Sequence, residues 1–211
     1  MDTTLQNIYT YCEAHTFGPT ELLSEVERTT HLKTLAPRML TGHLQGSFLG
    51  MLSMLMMPNV ILEIGTFTGY SALSLCKGLS SEGKLITIEY DAEMAALAEV
   101  AIQKSAFQNQ IQLIIGDAKK VIPTLTETLD MVFIDADKEA YPLYFDLVIE
   151  KCRSGALIIA DNVLWSGKVA EDIKDKKTAQ IDAFNKKIMA DDRVEQVILP
   201  IRDGLSVIRK K

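Results

Sequence analysis

The chain has 211 residues, 47% hydrophobic and 24% charged, the make-up of an ordinary water-soluble globular protein with enough length to bury its own core. Its 28 acidic and 22 basic side chains leave a net charge of −6. That excludes a nucleic-acid partner, which needs a basic stripe; the tail Lys210-Lys211 and the mixed-charge segment 174–177 read as solvated surface.

Cys12, Cys76 and Cys152 are far apart and form no C-x-x-C pair, so free thiols in a reducing compartment are expected. The start, Met1-Asp2-Thr3-Thr4, has neither the basic residues nor the apolar stretch of a secretory signal. The longest greasy run, residues 48–57, is 10 residues long and too short to cross a bilayer. A cytoplasmic protein with no membrane partner is expected.

Residues 1–57 read as helical. Thr3 is placed to cap a helix through residue 14, and Pro19-Thr20-Glu21 to open another through about residue 35. After Pro37 comes a third, residues 42–57, whose methionines Met51, Met54, Met56 and Met57 read as flexible core filling. From Val60 the pattern alternates. Strands are expected at 60–65, 84–89, 111–115, 129–135 and 155–160, with helices at 70–79, 91–107, 118–125, 140–151 and 176–190 between and after them. Residues 194–199 and 205–209, joined by Pro200-Ile201-Arg202-Asp203-Gly204, read as a closing β-hairpin that adds an antiparallel strand at one side. Such alternation implies an α/β fold with a doubly wound, mostly parallel sheet. With no repeat or low-complexity linker, residues 1–211 are expected to be a single domain, a helical cap (1–57) on a core (58–211).

The chemistry gathers at strand ends. Val132-Phe133-Ile134 runs into Asp135-Ala136-Asp137-Lys138, and Ala156-Leu157-Ile158-Ile159-Ala160 into Asp161-Asn162. Open α/β sheets bind ligands at the carboxyl ends of their strands. Asp135, Asp161 and Asn162 are hard oxygen donors suited to Mg2+, Mn2+ or Ca2+, with no nearby His or Cys to favour zinc. Lys138, three residues past Asp135, lies at the mouth of the same site, where a neighbouring cation disfavours its ammonium and fits it to act as a base. The turn Glu63-Ile64-Gly65-Thr66-Phe67-Thr68-Gly69-Tyr70-Ser71 has the position of a nucleotide-cofactor loop but lacks the middle glycine of a diphosphate-binding one. Glu89 closes the next strand, where a carboxylate can accept both hydroxyl protons of a ribose. Asp117 and Ala118 end the third strand, flanking an adenine ring or, for Asp117 equally, capping a helix.

With these residues together, the chain resembles class I S-adenosylmethionine-dependent O-methyltransferases, most nearly the cation-dependent caffeoyl-CoA and catechol group. The resemblance runs from about residue 38 to 209 and rests chiefly on Glu63 to Ser71, Ile134 to Lys138, Asp161-Asn162-Val163-Leu164-Trp165-Ser166-Gly167, and Leu199 to Leu205. It implies a Rossmann-like sheet of seven strands, S-adenosylmethionine as methyl donor, and a divalent cation on Asp135, Asp161 and Asn162. It places Thr41, Glu63, Gly65, Thr66, Ser71, Glu89, Ala118 and Asp137 on cofactor-contacting positions, with Asp117 and Asp135 bordering the same cofactor. Lys138 matches the base of catechol-type members and pairs with Asp135 as the catalytic set. A homodimer with N-terminal helices near the active site is also implied.

Glu89 stands where plant members commonly have aspartate, and Ser166 where many have asparagine. Segment 125–130 is shorter than theirs, and the helix after Lys168 shows no basic-plus-aromatic set to grip a coenzyme A ester. A small free catechol-like phenol is the preferred acceptor. Two other readings compete: an NAD-dependent dehydrogenase sharing the adenosine site, and a non-catalytic binding module that keeps the fold.

Overall fold

In the computed structural model, which describes residues 3–211 and at Thr3 and Leu5 the backbone alone, seven strands form one sheet. They are β1 (Val60–Ile64), β2 (Lys84–Glu89), β3 (Ile111–Ile115), β4 (Leu129–Ile134), β5 (Cys152–Asp161), β6 (Val194–Leu199) and β7 (Leu205–Lys210), in the order β3-β2-β1-β4-β5-β7-β6. β1 to β5 run parallel, and β7 is antiparallel to both β5 and β6. The hairpin thus enters as a whole, with β7 inside and β6 at the edge. The strand order reverses between β1 and β4, which opens a crevice at their carboxyl ends.

The helices are α1 (Thr3–Ala14), α2 (Glu21–Lys33), α3 (His43–Met56), α4 (Tyr70–Leu75), α5 (Ala92–Gln103), α6 (Ala118–Val121), α7 (Tyr141–Ile149) and α8 (Lys176–Met189). They bury the sheet on both faces, which is why its central strands are continuous apolar runs. Successive strand residues point to opposite sides. Leu62, Ile64, Val132, Ile134 and Ile158 pack towards Phe145 of α7 and Phe184 of α8, while Ile61, Leu85, Met131, Phe133 and Ile159 pack towards Leu49 of α3 and Leu75 of α4.

The expected elements form with shifted ends. Thr20, Asp91 and Asp175 cap α2, α5 and α8 by accepting from Leu23, Glu93 and Thr178 amides; the cap expected of the Thr3 side chain lies outside the described residues. α4 stops at Leu75 and tightens into a 3-10 turn over Cys76–Gly78. Gly78 lies so close to α3 that a Cβ there would be 2.0 Å from the Ser53 carbonyl carbon. α5 ends at Gln103 because Ser105 bonds back to Ile102 and takes the Phe107 N–H, turning the chain. β5 begins three residues before the expected start, at Cys152, which pairs with Leu129 across an irregularity in β4.

The N-terminal helices are fixed to the sheet's carboxyl edge by specific contacts. A Cβ at Gly46 would meet Tyr70 Cε1 at 2.7 Å, and one at Gly50 the Ser74 carbonyl at 3.0 Å, so α3 lies directly on α4. Arg202, in the β6–β7 turn, donates to the Leu40 carbonyl at 2.6 Å and to that of Thr41. All three cysteines are free, Cys76 and Cys152 buried. Among the described residues no helix is long and apolar enough to cross a membrane.

Candidate active site

The crevice has a side built by β1, β2 and β3 and a side built by β4 and β5. On the first, Gly65 leaves β1 with φ +97°, and a Cβ there would lie 2.1 Å from the Asp135 carbonyl oxygen. Only glycine lets the loop pass so close to the end of β4. Glu89 holds this loop: it accepts from the Phe67 N–H at 2.7 Å and from the Asp91 N–H at 2.9 Å. Asp91, not Glu89, caps α5. Thr66 and Ser71 are buried, and the Thr66 hydroxyl bonds to that of Thr87.

Glu63 is fully buried on β1, where its Oε2 accepts from the Thr87 hydroxyl at 2.6 Å and its Oε1 has no partner. Burial pushes its carboxyl up to about 8, against the opposing hydrogen bonding of Ser71 and Thr87. An orphaned buried acceptor beside a glycine turn, with a second carboxylate at the next strand end, fits a ligand that carries an ammonium or hydroxyl donors. Asp117 caps α6 by accepting from the Lys119 N–H at 3.0 Å, and Asp137 accepts from the Glu139 N–H at 3.2 Å. Ala118 and Thr41 are buried. Asp117 therefore has the capping job that its sequence position left open.

On the second side, Ile134 pairs with Ala160, so Asp135 and Asp161 continue neighbouring strand ends. Asp135 Oδ1 accepts from Lys138 Nζ at 2.7 Å. Asp161 is buried; its Oδ1 takes the Asn162 N–H at 2.6 Å and its Oδ2 takes Gln45 Nε2 at 2.7 Å. Burial first, and the charge of Asp135 next, lift the Asp161 carboxyl to about 6. Asn162 is left-handed at φ +58°, a conformation asparagine tolerates better than most residues. Two mutually repelling carboxylates and an amide oxygen form a hard donor set that a divalent cation would offset, so the residues fit one. Among the described residues no group of three His, Cys, Asp or Glu gathers as a metal cage; Asp135 and Asp161 are two carboxylates, and a cation between them would need its third oxygen from elsewhere, such as Asn162.

Sequence reasoning gave no role to Gln45, Tyr141 or Arg202. Tyr141 is fully buried at the start of α7. Its hydroxyl accepts from Lys138 Nζ at 2.8 Å and stands 3.1 Å from the Ile134 carbonyl and 3.0 Å from that of Asp161. With one proton it donates to either carbonyl, joining the ends of β4 and β5 under the lysine. The helical i, i+3 spacing from Lys138 to Tyr141 was a usable signal. Gln45 and Arg202 reach across 116 and 161 residues, and nothing local in the sequence announces their partners.

A family profile described as O-methyltransferase matches residues 13–211 of the chain. The chain belongs to the O-methyltransferase family. It is 39% identical over 160 residues to a catechol O-methyltransferase of Niastella koreensis, covering 74% of this chain and 72% of that one. It is 33% identical over 211 residues to a protein of Dictyostelium discoideum named probable caffeoyl-CoA O-methyltransferase 2, covering 97% and 91%. Among solved structures it superposes on the S-adenosylhomocysteine-bound methyltransferase of Podospora anserina with a TM-score of 0.91 at 28% identity, covering 100% and 96%. An O-methyltransferase of Bacillus cereus in complex with S-adenosylhomocysteine gives 0.89 at 29%, covering 97% of each chain. This O-methyltransferase is of the class I, S-adenosylmethionine-dependent kind and of caffeoyl-CoA/catechol type. The family decides against the dehydrogenase reading, in keeping with the absent middle glycine of the Gly65 loop.

Proposed function

We propose that this O-methyltransferase moves the methyl group of S-adenosylmethionine to a hydroxyl of a small catechol-like phenol and depends on a divalent cation, Mg2+ first, with Mn2+ or Ca2+ also suited to the donors. The observation that carries the reading is the meeting of Asp135, Lys138, Asp161 and Asn162 at two adjacent strand ends. The 39% identity to a catechol O-methyltransferase supports the free phenol over a coenzyme A ester.

A bound divalent cation supplies Lewis acidity that lowers the pKa of one of two vicinal hydroxyls and a template that orients both. Asp135, Asp161 and the Asn162 side chain would hold it. Lys138, entering the step as the neutral amine, would receive the hydroxyl proton at Nζ and leave as the ammonium that bonds Asp135 and Tyr141. Glu89 accepts from the ribose hydroxyls of the methyl donor. Thr41, Glu63, Gly65, Thr66, Ser71, Asp117, Ala118, Asp135 and Asp137 complete that side. Cation and anion neutralise each other as the methyl moves, so the chain contributes chiefly by holding donor and acceptor in line.

Residues 1–211 act together as one methyltransferase domain, 1–57 forming the cap and 58–211 the core, with the cytoplasm as the setting that three free cysteines fit. A homodimer accords with α3, which has no charged side chain yet leaves Met51, Met54 and Leu55 exposed; light scattering reads the assembly directly.

The deciding experiment is transfer of labelled methyl from S-adenosylmethionine to a panel of phenols, with and without EDTA, for the native protein and Asp161→Ala. Product from vicinal diols, abolished both by EDTA and by the substitution, is the expected result. Full activity in chelator would remove the cation from the mechanism. No product with any phenol would favour the non-catalytic module.

A further inference from the structure

Gln45 lies in the first turn of α3, fully buried, and donates from Nε2 to Asp161 Oδ2 at 2.7 Å. Its Oε1 has no partner. An amide retained for stability alone would have both ends paired, and an apolar side chain of the same length would leave no buried oxygen unpaired. Chemistry fixes which end faces the carboxylate: an ionised carboxylate only accepts, so the NH2 group must be the one against Asp161. The other Asp161 oxygen takes the Asn162 N–H at 2.6 Å, so the carboxylate is gripped at both oxygens.

The grip is braced from outside. Gly46, the next residue, sits against Tyr70 and Ser74 of α4 with no room for a Cβ. Arg202 fastens the segment just before α3 through the Leu40 and Thr41 carbonyls. A helix held on two sides thus places a side-chain donor on one oxygen of a candidate metal ligand at the end of β5.

We infer that Gln45 is a positioning residue for the cation site: through Asp161 it ties the affinity for the divalent cation to the seating of the N-terminal helices. The inference rests on the cation reading of Asp135, Asp161 and Asn162. Carboxylates that ligate metals are oriented by outer hydrogen bonds, and loss of such a partner lowers metal affinity or activity about 10–100-fold.

The test is Mn2+ titration of the full chain followed by electron paramagnetic resonance, on the native protein, Gln45→Met and Gln45→Asn. Methionine keeps the length and removes the donor, while asparagine keeps the amide and withdraws it. S-adenosylhomocysteine affinity, measured by calorimetry, reports whether each variant is folded around its cofactor side. The expected result is an Mn2+ Kd weakened about 10–100-fold in both variants, with S-adenosylhomocysteine affinity unchanged. If only one variant folds, the Mn2+ Kd of that one decides. A native Mn2+ Kd in a folded variant overturns the inference alone. A native protein that binds no Mn2+ overturns the cation reading and the inference with it. Loss of both ligands in both variants marks Gln45 as a folding residue and overturns the positioning role.

Discussion

Glu89 and Asp117, on the β1–β3 side of the crevice that we propose takes the cofactor, and Asp137 just past β4, are each held by backbone N–H groups that lie close in sequence or in the adjoining loop. Asp135 and Asp161, on the β4–β5 side proposed for the acceptor, take bonds from the side chains of Lys138 and Gln45, Asp161 also from the Asn162 N–H, and Tyr141 braces the strand ends beneath them. Backbone donors come with the turn itself and survive most substitutions nearby. The side-chain donor Gln45 is carried by α3 and depends on how that helix packs, while Lys138 sits in the turn that leads into α7. Glu89 and Asp117 are therefore organised chiefly by loop and turn geometry, whereas Asp161 depends on tertiary assembly through Gln45.

The largest effect is expected where the two sides touch. Gly65→Ala would place a Cβ 2.1 Å from the Asp135 carbonyl oxygen at a backbone φ of +97°, so the loop and the end of β4 must separate. Strain and overpacking together should cost about 3 kcal/mol or more. For a chain of this size that is a fall of roughly 6–12 °C in Tm, measured by calorimetry, together with lost S-adenosylhomocysteine binding. A variant with native Tm and affinity would show that the two sides are independent.

The same division governs what the sequence revealed. The strand at Lys84–Glu89 lies where an apolar run between turn residues puts it, because a strand buried on both faces leaves a continuous pattern, and the half-buried edge strand Ile111–Ile115 shows the same β-branched run between turns. The Gly65 turn, Glu89 and the paired strand ends at Asp135 and Asp161 were legible for the same reason: each is a local event at the end of a periodic run. Gln45 was not. It is an amide on the buried face of an apolar helix, and its partner lies 116 residues away. Nor did the hairpin's own sequence reveal that β7, not β6, would lie against β5; pairing partners are tertiary facts.

Glu63 is the cofactor-side carboxylate with no backbone N–H bonded to it and one oxygen unpaired, so it should respond differently to pH. Its folded-state pKa of about 8 stands above the ordinary 4.5. Between those values the folded chain keeps a proton that the unfolded chain has released, so stability falls as pH rises, by up to about 1.4 kcal/mol per pH unit. Asp161, raised only to about 6, contributes in the same direction below that value, which leaves pH 6–8 to Glu63. Urea midpoints of the cofactor-free protein should drop from pH 6 to pH 8, and Glu63→Gln, permanently neutral, should flatten the drop. Parallel pH profiles for the two proteins would show that Glu63 is already ionised at pH 6.

The smallest effect tests whether a backbone-held carboxylate has any work beyond its turn. Asp117 caps α6 through the Lys119 N–H. Alanine there should cost about 1 kcal/mol, the usual worth of such a cap, or roughly 2–4 °C in Tm. Asparagine caps about as well as aspartate, so Asp117→Asn should keep the native Tm. Weaker S-adenosylhomocysteine binding in the asparagine variant at unchanged Tm would separate a ligand contact from the cap. Native affinity in that variant would leave Asp117 the structural role alone and move the adenine contact to Ala118 and its backbone.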